Sequence, residues 1–107
     1  MNITITGHHV EVTDAIRAAV EAKVQKIAKH FPELGKVQVT LTVEKHEHSA
    51  EFITHFLAHD ITAKAKAADM YLAITEAGQK LNGLMQKQKD KVKDHGHDRP
   101  QAEVTID

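Results

Sequence analysis

From Lys36 to Lys45 the chain alternates without a break. Val37, Val39, Leu41 and Val43 fall on one face, and Gln38, Thr40, Thr42 and Glu44 on the other. A period of two with one apolar and one polar face is a strand that needs cover on one side only. The segments around it must therefore build a sheet with a single buried face. The preceding segment can supply part of that cover. Ile16, Val20, Val24, Ile27 and Phe31 recur at steps of three and four. At about 100° per residue they fall in one narrow stripe, which is the pattern of an amphipathic helix. Thr13 is its candidate N-cap, and Asp14 sits in the first turn opposite the positive helix end. Pro32 and Gly35 close it.

The remaining segments complete the order. Asn2 to Thr6 alternates as a short half-buried strand that Gly7 breaks. His46 to Ser49 reads as a polar turn, and Glu51 to Leu57 as a strand with two apolar sides. Phe52 and Phe56 lie on one of these sides, and Ile53 and Leu57 on the other. Ala58-His59-Asp60 reads as a turn, followed by alternating Ile61, Ala63, Ala65 and Ala67. Asp69 opens a helix to about Lys93, with Met70, Ile74, Ala77, Leu81, Met85 and Val92 on one face. The order β-α-β-β-β-α predicts an α+β fold with a four-stranded mixed sheet and two helices packed on one face. The first two strands pair in parallel through a right-handed crossover, and the next pairs form an antiparallel meander. Residues 1–94 are expected to form the domain and 95–107 a polar, mobile tail.

A length of 107 residues with 41% hydrophobic content suits one packed domain. The absence of Cys excludes a disulfide framework, a thiol nucleophile and Cys-ligated metal sites. No apolar run approaches the roughly 18 residues of a membrane span, and no signal-like segment opens the chain. A soluble, cytoplasmic protein with no membrane partner is the expectation.

The net charge of −1 argues, taken whole, against a nucleic-acid partner. The positions of the charges argue otherwise. Lys23, Lys26 and His30 share one flank of the first helical stripe, with Lys29 just beyond. Lys80, Lys87 and Lys91 share a stripe on the second helix, with Lys89 and Lys93 on its other flank. From Lys80 to Lys93 there are five Lys against one acid, Asp90. The acids gather in the strands, their turns and the tail, so the sheet edge should be acidic. Two helices side by side should present a basic ridge or groove. Lysines at one- and two-turn spacing can follow a phosphate backbone. Among the four aromatics, Phe31, Phe52 and Phe56 occupy core-like positions and Tyr71 stands alone. There is thus no row of strand aromatics for stacking single-stranded bases, and no Gly-x-x-Gly loop. A structured or double-helical RNA, read by shape and phosphate, is the target class that remains.

Other chemistries find less support. His8-His9, His46-x-His48 and His95-x-His97 could suggest a divalent metal. The pairs lie in loops and a tail, however, with no Cys or acidic residue spaced to complete a shell. No metal, cofactor or catalytic residue is assigned, and no nucleotide-binding or nucleophile motif appears, so an enzyme is not expected. Ile53 and Leu57, exposed on the polar sheet face, would make a small protein-interaction patch. A metal-binding or protein-interaction module is the alternative function.

The residues also carry a family resemblance. The opening Ile3-Thr4-Ile5-Thr6-Gly7-His8-His9-Val10-Glu11-Val12-Thr13-Asp14-Ala15-Ile16-Arg17 resembles the start of bacterial ribosome hibernation promoting factors, short form. So do Val43-Glu44-Lys45, Asp69-Met70-Tyr71-Leu72-Ala73-Ile74, Lys80-Leu81 and Lys87-Gln88-Lys89-Asp90-Lys91. The resemblance covers about residues 1–95. It implies a double-stranded-RNA-binding-domain-like fold that binds the small ribosomal subunit in stationary phase or stress. Such a protein would contact 16S ribosomal RNA and neighbouring ribosomal proteins, occlude the messenger RNA and A/P-site transfer RNA region, and inhibit translation. Short forms are linked to pairing of idle ribosomes into dimers. The chain itself is expected to be a monomer off the ribosome. The RNA-contacting positions carried over are Lys23, Lys26, Lys80, Lys87, Lys89 and Lys91, and Lys29 joins them by its position on the basic flank. Thr75, Gly83 and Leu84 depart from the usual Asp, Arg and Gln.

Overall fold

The computed structural model describes residues 2–97. Its elements are β1 (Asn2–His8), α1 (Asp14–His30), β2 (Lys36–Glu44), β3 (Glu47–Phe56), β4 (His59–Ala67) and α2 (Met70–His97). The sheet order is β1-β2-β3-β4, with β1 parallel to β2 and the other neighbours antiparallel. This is the predicted mixed sheet.

Register follows from the alternation. Ile5, Val39, Phe52 and Ala63 form one inward row across all four strands, and Gly7, Leu41, Ala50 and Ala65 form the next. The α1 stripe of Ile16, Val20, Val24, Ile27 and Phe31 is buried in the same core as Met70, Ile74, Ala77, Leu81 and Met85 of α2. Ala63 and Ala65 on β4 and Ala73 and Ala77 on α2 are all buried. Their small side chains let the helix lie close to the sheet. Thr54 is the one buried polar side chain among the described residues. Its hydroxyl donates to the Lys36 carbonyl at 2.7 Å, so this buried group is satisfied.

Both helices start as predicted. The Thr13 hydroxyl accepts from the Ile16 amide at 3.2 Å, and an Asp69 carboxylate oxygen accepts from the Tyr71 amide at 2.7 Å. The α1 helix closes where the Phe31 amide donates to the Ile27 carbonyl, one residue before Pro32.

Several boundaries differ from the sequence expectation. Gly7 does not break β1. It lets the strand continue past the β1–α1 loop, because a Cβ there would lie 2.4 Å from the Val10 carbonyl oxygen. The β2–β3 turn is only Lys45-His46, with Glu44 paired to Glu47. The β3–β4 turn is Leu57-Ala58, with Phe56 paired to His59. Both Leu57 and Ala58 have positive φ, 51° and 70°. A two-residue hairpin needs that handedness, which Asn-Gly usually supplies. The turn also carries Leu57 off the open sheet face and packs it against the core. Ile53 stays on the open face between Gln38 and Thr62, so the predicted Ile53/Leu57 patch does not form. Ala58→Gly should relieve about 1–2 kcal/mol of left-handed strain against about 0.5–1 kcal/mol of added chain entropy. A net gain of about 0.5–1 kcal/mol in urea unfolding is the expected result.

Val92 is 48% exposed rather than in the core. The 28 residues of α2 extend about 42 Å, whereas the nine of β4 span about 30 Å, so the apolar stripe outlasts the sheet beneath it. The helix runs to His97, so positions 95–97, expected in the tail, are helical. The rest of that tail, 98–107, lies outside the described residues.

Candidate nucleic-acid interface

The predicted lysines do not form one ridge. They divide between two clefts on either side of α2. The first lies between the helices and encloses about 260 Å³, lined by Lys23, Lys26 and His30 of α1 and by Gly78, Gln79 and Asn82 of α2. Lys23 is half-buried because its stem crosses α2 at Gly78. A Cβ at Gly78 would lie 2.4 Å from Lys23 Cγ, so the bare backbone is what seats this side chain. Gln79 and Asn82 add amide donors to the cationic rim.

The second cleft lies between the opposite flank of α2 and the free edge of β4. Lys80, Lys87 and Lys91 line it from the helix, and Lys64 from the strand. The Lys80 ammonium donates to the Lys64 main-chain carbonyl at 2.8 Å, which anchors the helix lysine over the strand edge. His59, bonded to Gln88 at 3.1 Å, closes one end.

Two predicted residues sit apart from both clefts. The Lys89 ammonium lies 5.6 Å from the centre of the Phe31 ring, at the end of α1. Lys29 is exposed in the last turn of α1, where a cation complements the helix dipole, and it lines neither cleft. The geometry thus groups Lys23 with Lys26, and Lys80 with Lys87 and Lys91, and leaves Lys29 and Lys89 as outliers.

Lys64 and Lys66 were not singled out from the sequence. The alternation of β4 places both on its solvent side, but only the strand order makes β4 an edge beside α2. The sheet edges also differ from the acidic expectation. β1 carries no acid at all, and β4 carries Asp60 against Lys64 and Lys66. The acids lie instead at the β2–β3 hairpin, where Glu44 faces Glu47, and at Glu51 on the open face. Lys66 reaches Glu47 at 3.7 Å, and His55 meets Asp60 at 2.8 Å, both pairs well exposed.

Phe31, Phe52 and Phe56 are buried and Tyr71 is 47% exposed, so among the described residues one aromatic faces solvent and no row of them does. Gly83 borders the second cleft, and a Cβ there would meet nothing within 4 Å. Its presence is therefore not explained by close approach within this chain. Gly83→Ala should stabilise the helix by about 0.5–1 kcal/mol, read from the urea midpoint.

His8, His9, His46 and His48 do not converge on a metal site. His46 lies in the turn, while His48 points inward between Val43 and Ala67 with its Nδ1 buried and unpartnered. Among the described residues, no group of three or more His, Cys, Asp or Glu is placed to hold a metal ion. No described helix is long and apolar enough to cross a membrane.

Comparison with known proteins places these features in context. The family model of the Sigma 54 modulation protein / S30EA ribosomal protein matches residues 3–93. The ribosome hibernation promoting factor of Escherichia coli K12 is 40% identical over 95 residues, covering 89% of this chain and all of that one. The ribosome hibernation promoting factor of Azotobacter vinelandii is 38% identical over 91 residues, 85% of each chain. Among solved structures, a ribosomal subunit interface protein from Coxiella burnetii superposes with a TM-score of 0.79 at 24% identity, over 84% of this chain and 99% of that one. The Thermus thermophilus Protein Y N-terminal domain gives a TM-score of 0.75 at 27% identity, over 82% and 99%.

Proposed function

We propose that this chain, which belongs to the Sigma 54 modulation protein / S30EA ribosomal protein family, is a non-enzymatic factor that binds the small ribosomal subunit and silences it in stationary phase or stress. The observation that carries the reading is the pair of lysine-lined clefts flanking α2, in a chain whose total charge is −1. A protein that bound any polyanion through bulk charge would be strongly basic throughout. Here lysines line two clefts on the flanks of α2, while Glu44, Glu47 and Glu51 lie away from both, at the β2–β3 hairpin and on the open sheet face. Two tracks separated by a helix suit the phosphates of a folded RNA, whose shape holds its backbone strands at fixed separations. The absence of an exposed aromatic row among the described residues points away from single-strand stacking.

In this mechanism Lys23 and Lys26 engage one stretch of 16S ribosomal RNA backbone and Lys80, Lys87 and Lys91 another. Lys89 and Lys29 contribute only to the surrounding field. A rigid domain held at both tracks occupies the channel of messenger RNA and the A/P-site transfer RNAs, and inhibits initiation by exclusion rather than by chemistry. It acts in the cytoplasm, where idle ribosomes are, and pairing of those ribosomes into dimers would follow from the silenced state.

Sedimentation of stationary-phase lysate over sucrose tests the reading. The protein should travel with small subunits or whole ribosomes at low salt and leave them as salt rises, since each phosphate contact releases a counterion. Protein that remains at the top of a low-salt gradient overturns it.

A further inference from the structure

The two clefts that flank α2 differ in chemistry. The one beside β4 holds a single amide side chain, Gln88, and His59 already bonds it at 3.1 Å. The one between the helices holds two, Gln79 and Asn82. Of the four amide side chains on α2, Gln86 is held by Asp90 at 3.0 Å and Gln88 by His59, whereas Gln79 and Asn82 make no hydrogen bond among the described residues. Each of the two therefore brings a donor and an acceptor, side by side and unused, into the cleft. Three residues apart on one helix, they stand about 5–6 Å from each other on the same wall.

The other surfaces of this cleft are unlike that wall. The α1 side carries Lys23, Lys26 and His30, and no acid lines the cleft. The floor is apolar: Ile27 is buried, and the methylenes of Lys23 lie across the bare backbone of Gly78. The cleft thus joins a cationic wall, an apolar floor and a wall of paired donors and acceptors. A nucleotide has three matching parts, its phosphate, the face of its base and the edge of its base. Phosphates alone would use the lysines and leave both amides unmatched. A base inside an RNA duplex has its face stacked away, whereas an unpaired base in a loop or bulge offers both face and edge. The volume of about 260 Å³ lies just under the range of about 300–1,000 Å³ that holds whole small ligands, which suits one nucleotide lodged from the open side rather than a helical segment.

We propose, resting on the RNA-binding reading above, that the cleft between the helices takes one unpaired nucleotide of the folded RNA. Its phosphate lies against Lys23 and Lys26, its base over Gly78, and the edge of that base against the amides of Gln79 and Asn82. The two clefts then divide the work. The one beside β4 follows the backbone by charge, and the one between the helices fixes where along the RNA the domain docks.

Chemical probing of ribosomal RNA with the bound protein tests this. Dimethyl sulfate and a carbodiimide report the edges of unpaired bases, and hydroxyl radicals report the backbone. The parent should protect at least one unpaired base that becomes reactive in Gln79→Ala/Asn82→Ala, while the backbone protection persists. Affinity for ribosomes should fall about tenfold in that variant, as expected for lost amide–base pairing. The slope of log affinity against log salt should not change, because neutral amides release no counterions. The same base reactivity and affinity in variant and parent, with the backbone footprint present in both, overturn the proposal and leave the RNA-binding reading standing. A flatter salt slope in the variant overturns it in favour of a cleft that holds phosphate only. A parent with no backbone footprint overturns the RNA-binding reading, and this proposal with it.

Discussion

Lys87→Glu/Lys91→Glu should release the protein from ribosomes at salt concentrations where the parent stays bound. Losing two phosphate contacts makes the plot of log affinity against log salt shallower by about two. Reversing the charges adds repulsion, so the loss exceeds that of Lys87→Gln/Lys91→Gln, which only removes them. Both side chains are exposed on the β4-facing flank of α2, and neither packs into the core. Stability should therefore stay within about 0.5 kcal/mol of the parent. Co-sedimentation across a salt series, with urea unfolding alongside, reads both quantities. Unchanged co-sedimentation would show that this flank is not the one that meets RNA. Lys23→Glu/Lys26→Glu then tests the other cleft in the same assay.

The largest stability effect should come from Phe31→Ala. Phe31 is 1% exposed and stands edge-on to Phe56, ring centres 5.5 Å apart at 81°. It caps α1, closes the core beneath the end of that helix, and supports the Lys89 ammonium. Removing a buried phenyl group costs about 3–5 kcal/mol. Against a total of about 5–15 kcal/mol for a domain of this kind, the variant should sit near the edge of folding. Phe31→Leu keeps much of the apolar volume and should lose far less. A midpoint for Phe31→Ala close to the parent's would mean that the α1 terminus is not part of the cooperative unit.

The periodic parts of this fold were legible in the sequence because the period is itself the physics. The α1 stripe from Ile16 to Phe31 and the alternation of Val37, Val39 and Leu41 each admit one buried face, and that face is the one buried. Caps were legible for the same reason, since Thr13 and Asp69 act within three residues of themselves. What failed was set by strand pairing and close approach, which no hydrophobic period reports. Leu57-Ala58 turns left-handed without Asn or Gly because the pairing of Phe56 with His59 demands it. Gly7 continues a strand because the Val10 carbonyl oxygen comes too close for a side chain. Val92 keeps the helical period after the sheet has ended. At the site, the lysine stripes were correctly placed on their helices. Their division into two clefts was not visible, because it depends on which strand lies beside α2. Gly78 gave no signal, since its role is to leave room for Lys23.

The sheet is ordered as its strands are numbered, and this has a consequence for how the chain is made. Synthesis releases β1 first, and every later strand finds its neighbour already present, so the ladder can grow in the direction of translation without waiting for a distant segment. The inner face over β3 and β4 is the exception. Phe52, Ala63 and Ala65 are covered by α2, whose last buried anchor among the described residues is Met85. Until that residue clears the exit tunnel the nascent sheet carries an uncovered greasy face. The interval between Ala67 and Met85 is the window in which this small protein is most open to aggregation or to a chaperone.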